Sequence, residues 1–169
     1  MSIVNSIEIV REWLDSTVCP MVQLKLPDDS ATDASYPYKL VNPTAFSLFV
    51  PSKDRLPPKV PAPIPSVCVQ IVEGTDSLTM SSRSIKIRLC FSAWDPGYHG
   101  RDIFKPKNDG SGAYVQWQNE EATAFFEKNG EGWRDAWNFV DTALRMIENA
   151  EYIGPLRVMK EDGITFGPV

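Results

Sequence analysis

His99 is the only histidine in the chain, within Asp95-Pro-Gly-Tyr-His-Gly-Arg-Asp102. An imidazole with Asp95 and Asp102 nearby has the chemistry to hold a metal or to act as a base. A structural zinc site, however, wants four ligands at tight spacings. A nucleophilic triad wants a Ser or Cys in a recognisable turn. Neither accompanies His99, and a solvated loop histidine is the simpler reading. Gly110-Ser-Gly112 lacks the Lys-Ser/Thr that follows a phosphate loop, and no apolar strand feeds it. Glu120 and Glu121 are adjacent, so on a helix they point apart and cannot converge on one substrate. These residues lead us to expect no enzyme, no catalytic residues, no cofactor and no metal.

Three cysteines, Cys19, Cys68 and Cys90, are far apart, and none forms a C-x-x-C pair. That usage predicts reduced thiols in a cytoplasmic protein. Cys68 and Cys90 can fall opposite each other on paired strands, which by itself makes no disulfide. Of the five tryptophans, Trp13, Trp133 and Trp137 occupy helical core positions, whereas Trp94 and Trp117 remain free. An exposed aromatic pair is more often a protein interface than a sugar platform. Pro58 to Pro61 reads either as a PxxP-like ligand or as part of a stiff connector laid over the core. The connector is preferred.

The elements that must carry these residues are legible from periodicity. Ser84 to Trp94 alternates, with Ile85, Ile87, Leu89, Phe91 and Ala93 on one face. Trp133 to Ala150 has every apolar side chain in one half of the helical wheel, with Trp137 near the middle of the arc. A one-faced strand and a half-apolar helix each need covering, and together they predict a core. Ser2 to Asp15 reads as a first helix, with Ser2 as N-cap, ended by Thr17 to Pro20. Met21 to Leu26 reads as a short strand, and Pro27 to Pro43 as a loop. Ala45 to Val50 is open to helix or strand. Residues 51–65 carry six prolines and predict an extended connector. Val67 to Val72 and Ser84 to Trp94 pair as a hairpin across a polar connection, Glu73 to Arg83.

Residues 95–132 form a long insertion bearing Tyr98, Phe104, Tyr114, Trp117, Phe125 and Phe126, with a short helix over Glu120 to Lys128. An aromatic loop this long inside a compact domain points to function or an interface. Leu156 to Lys160 and Ile164 to Phe166 predict a closing hairpin around Asp162-Gly163. The expected fold is therefore α+β in a single domain, 1–169. It has a mainly antiparallel sheet, an N-terminal helix and one long amphipathic helix packed on one face. With 17 Lys and Arg against 22 Asp and Glu, the net charge is −5. That argues against tight, non-specific nucleic-acid binding, and no specific nucleic-acid binding is expected. No signal peptide or membrane-spanning run is expected.

The order of these elements resembles the tail terminator, or tail completion, proteins of long-tailed bacteriophages and prophages. The resemblance lies in the helix Ile3 to Leu14, the hairpin Val67 to Trp94 and its end Phe91-Ser-Ala-Trp94-Asp95. A variable insertion, the helix Trp133 to Ala150 and the closing hairpin complete it. It implies a structural virion protein that caps the tail tube and forms the head–tail joining surface. Such a protein is a homo-oligomer, commonly a hexameric ring. Its partners are its own copies, the tail-tube protein and the head–tail connector. It is found in the bacterial host cytoplasm and then in the virion tail. Trp94, Phe104, Tyr114 and Trp117 are the candidate interface residues. Two other functions remain open: a small peptide- or ligand-binding module using Pro57 to Pro65 or the Trp94/Trp117 region, and a hydrolase built around His99, Asp95 and Asp102.

Overall fold

The computed structural model describes residues 2–27, 38–52, 62–80, 82–94, 104–107, 109–116, 132–161 and 163–167, with the backbone alone for 104–106, 114–116 and 132–133. Its architecture is α+β. Helix α1 (Ile3–Trp13) opens the chain, capped by the Ser2 hydroxyl, which accepts from the Asn5 N–H. Ile7, Val10, Leu14 and Val18 recur at helical spacing, and all four are buried. The helix does not stop where the proline signal placed its end. It widens into a π-helical turn, Leu14–Val18, and then a 3-10 turn, Cys19–Met21. Pro20 has no N–H to donate, and the Cys19 N–H reaches back to the Leu14 carbonyl instead.

Strand β1 (Leu24–Pro27) pairs antiparallel with β2 (Tyr38–Val41), which lies within the segment expected to be loop. Tertiary pairing with Leu24 and Leu26 made this strand, and no strong period in Tyr38 to Val41 announces it. The Ala45 to Val50 ambiguity resolves as strand: β3 (Thr44–Ser47) runs parallel to the start of β4 (Ser66–Ser77). Strand β4 then pairs antiparallel with β5 (Ser82–Ser92), giving the order β3-β4-β5.

Helix α2 (Gly132–Asn149) lies where the wheel placed it, but its buried stripe is rotated. Phe139 and Ala143 are fully buried, and Met146 packs against the same cluster. Trp137 is 36% exposed, with its ring edge-on to Phe166 at 6.2 Å. The expectation that Trp137 is core is therefore corrected. The apolar arc is wider than the contact, and the sheet takes the Phe139 side. Phe139 meets Phe91 of β5 edge-to-face, with centroids 4.8 Å apart. Val67, Val69, Leu89 and Phe91 thus form the sheet face that both helices cover. Lys25 and Asp135 form a 2.8 Å ion pair, mostly shielded from solvent, that ties β1 to α2.

The closing hairpin is displaced from its expected place. Strands β8 (Tyr152–Ile153) and β9 (Leu156–Arg157) pair around Gly154-Pro155, and Ile164 to Phe166 form no strand. Gly154 has φ +56°, the conformation wanted at the first central position of a two-residue hairpin turn. A Cβ there would sit 3.1 Å from the Ile9 side chain, so the turn also packs closely on α1.

Candidate assembly surfaces

The polar connection expected between the two central strands is itself strand. Pairing continues from Ser66↔Ser92 out to Ser77↔Ser82, leaving only a tight tip. A bulge at Val72 shifts the register, and Asp76–Arg83 and Glu73–Lys86 then pair ionically across the ladder, each directly opposite its partner. Opposed charges of this kind favour the register although they stabilise little when exposed. Alternation alone missed this because the outer strands bury neither face.

Burial changes abruptly along this hairpin. Ser66 to Val69 are buried, whereas Ile71 to Asp76 are exposed. The predicted one-sided face of β5 divides at the same level. Leu89, Phe91 and Ala93 pack on the core, but Ile87, opposite Ile71, lies beyond the helices. The outer half is thus an arm of about 20 Å, at 3.4 Å per residue. Its tip presents Leu78 at 89% and Met80 at 77% exposure.

A second apolar surface lies at the root of the arm. Leu48 has φ +68°, and the Phe49 N–H donates to the Ser47 carbonyl across it, closing a three-residue turn. A β-strand ending this way carries backbone strain at a non-glycine residue. The turn leaves Leu48 and Phe49 exposed, and the Gln70 amide donates to the Leu48 carbonyl. Helix α1 runs antiparallel to β3 here. The Asp15 carboxylate accepts from the Ala45 N–H, and Glu8 accepts from the Ser47 hydroxyl at 2.6 Å. Val4, one turn before Glu8 on α1, is exposed as well. The Ser47 hydroxyl, with help from Arg11, holds the Glu8 carboxyl below the usual carboxylate range.

The aromatic candidates from the insertion are only partly brought together. Trp94 is half-buried and not free. Its ring lies against Tyr38 of β2 at 6.3 Å. Phe104 and Tyr114 lie on β6 (Phe104–Pro106) and β7 (Tyr114–Gln116), a small antiparallel hairpin in which Phe104 pairs with Gln116 and Tyr114 with Pro106. They are therefore diagonal rather than directly opposed. Trp117, His99, Asp95 and Asp102 lie outside the described residues, as do Glu120 to Lys128, Pro57 to Pro61 and most of the proline connector. Among the described residues, no group of three or more His, Cys, Asp or Glu could hold a metal, and no helix is long and apolar enough to cross a membrane.

One structural residue that the sequence did not signal is Asn42. Its amide donates to the Val22 carbonyl at 2.9 Å and lies within 3.3–3.4 Å of the Cys19 and Pro20 carbonyls, tying β2 to the chain where the helix unwinds. It also lines a shallow depression of about 180 Å³ with Leu26, Val41, Thr44 and Pro65. On the sheet face away from the helices, Cys68 and Cys90 lie directly opposite, as their spacing allowed, and all three cysteines are free. Comparison with known protein families, characterised proteins and solved structures finds no match to this chain.

Proposed function

We propose that this protein is a structural tail protein that caps a phage or prophage tail tube and forms the joining surface for the head. It acts as a ring of identical subunits, and it is not an enzyme. The observation that carries this reading is the arm. A two-stranded ribbon extends about 20 Å past the core, with a bare apolar tip. An isolated hairpin is marginal in water, so a neighbour that covers the arm stabilises it.

The tip and the Leu48/Phe49 root are different patches on one chain. A contact between unlike patches is head-to-tail, and it closes into a ring when the rotation permits. The outer edge of β5 has no strand partner among the described residues, and unpaired edge groups offer a further contact. The order of elements supports the tail terminator reading through the resemblance described above. A tube-capping role needs surfaces for subunit, tube and head contacts, and it needs no reactive cluster.

The test is to polymerise tail-tube subunits from the same locus with and without this protein and to examine them by electron microscopy. The expected result is tubes of bounded length with a ring of density at one end. Leu78→Ser/Met80→Ser should weaken capping while leaving the melting temperature of the isolated protein unchanged. Tubes that grow as long as without it, with bare ends, overturn the proposal.

A further inference from the structure

We propose that Cys68 and Cys90 are an oxidisable dithiol that closes into an intramolecular disulfide at the base of the arm. The inference is independent of the tail-capping role and rests on the strand register. Cys68 of β4 stands directly opposite Cys90 of β5. Directly opposed residues of an antiparallel pair project from the same face. Val67 and Val69 are on the face covered by the helices, so both thiols are on the other face. Cα atoms of opposed antiparallel residues are roughly 4.5–5.5 Å apart. A disulfide accepts Cα separations of about 4.4–6.8 Å. The backbone spacing is thus already that of a bridge.

The surroundings divide the two thiols into different roles. Cys68 is 2% exposed, flanked by Phe46 of β3 on one side and Cys90 on the other. Cys90 is on the outer strand, only partly buried, with its thiol donating to the Gln70 side-chain carbonyl at 3.5 Å. A two-electron oxidant such as a peroxide can therefore reach Cys90 first. The Cys90 sulfur attacks one peroxide oxygen, an S–O bond forms, the O–O bond breaks, and the departing hydroxide leaves as water with the Cys90 proton. The resulting sulfenic acid is attacked by the Cys68 sulfur. The S–S bond forms, the S–O bond breaks, and oxygen departs as water with the Cys68 proton. Two thiols are oxidised and one peroxide is reduced to two waters. Cys19 is 1% exposed in the helix-side core and has no cysteine opposite it, so it stays a thiol.

The experiment uses the full chain, fully reduced, freed of reductant and treated while folded with a small excess of hydrogen peroxide. It is then denatured, its remaining thiols are blocked, and intact mass and peptides are read. The expected result is a fall from three thiols to one, an intact mass of the reduced chain less about 2 Da plus a single blocking group, and a peptide linking Cys68 to Cys90. Cys90→Ser, at the more exposed partner, should keep both its thiols under the same treatment. Three surviving thiols, oxygen added to Cys90 without loss of Cys68, or disulfide-linked dimers would each overturn the proposal.

Discussion

Replacing Phe139 by alanine separates the core seen in the structure from the core drawn on a helical wheel. Phe139 is fully buried, and its ring meets Phe91 edge-to-face at 4.8 Å. Its removal loses the transfer free energy of a phenyl ring, about 1.5–3 kcal/mol. It also leaves a cavity between α2 and β5 that two secondary-structure elements cannot easily close. Together these place the cost at about 3–5 kcal/mol. Trp137 is larger and nearer the middle of the sequence arc, but it is 36% exposed and leans on Phe166, which is itself 65% exposed. Trp137→Ala should therefore cost about 1 kcal/mol, an ordinary cost for a side chain off the core. Urea unfolding measures both. With a slope of about 2 kcal/mol/M, Phe139→Ala should move the midpoint by about 2 M and Trp137→Ala by about 0.5 M, with unchanged slopes. A Trp137→Ala cost equal to or above that of Phe139→Ala would refute the rotation of α2 and return its buried stripe to the Trp137 side.

Other consequences are as direct. Burial pushes the Cys19 thiol up to about 12, from 9.0 for an unperturbed cysteine. A group raised in the folded state contributes stability that is complete below its unfolded value and is lost as pH rises through the folded one. Stability should thus fall between about pH 9 and 12, and Cys19→Ala should flatten that part of the pH profile. Ser47→Ala removes the largest cause lowering Glu8, so the Glu8 carboxyl should titrate at higher pH by NMR, with Arg11 retaining part of the effect. Lys25→Ala leaves the Asp135 carboxylate shielded and unpaired by its lysine, and should cost about 1–3 kcal/mol. A double-mutant cycle with Asp135→Asn should show coupling that an exposed pair such as Glu73–Lys86 lacks. Gly154→Ala introduces a Cβ at positive φ and 3.1 Å from Ile9, and should destabilise by about 1–3 kcal/mol in the same denaturation assay.

The sequence by itself determined which segments must cover one another. The stripe Ile7, Val10, Leu14, Val18 and the alternation through Leu89 and Phe91 are periodic, and periodicity follows from local geometry. The Ser2 cap and the Cys68–Cys90 opposition were legible for the same reason, since each depends on a few neighbouring residues or on one strand pairing. Tertiary structure decided whatever needed a distant partner. Strand β2 is made by pairing with β1, and β3 by its parallel edge contact with β4. Along Glu73 to Arg83 the arm buries neither face and cross-strand charges only favour its register, so no apolar alternation marks that part of it. The wheel allowed several rotations of α2, and the sheet chose Phe139 over Trp137. The assembly surfaces show the same division. The sequence pointed to aromatics of the insertion, whereas the structure adds an arm tip at Leu78 and Met80 and a strained turn at Leu48. Exposure is a property of what fails to be covered, and that is settled only once every element has found its place.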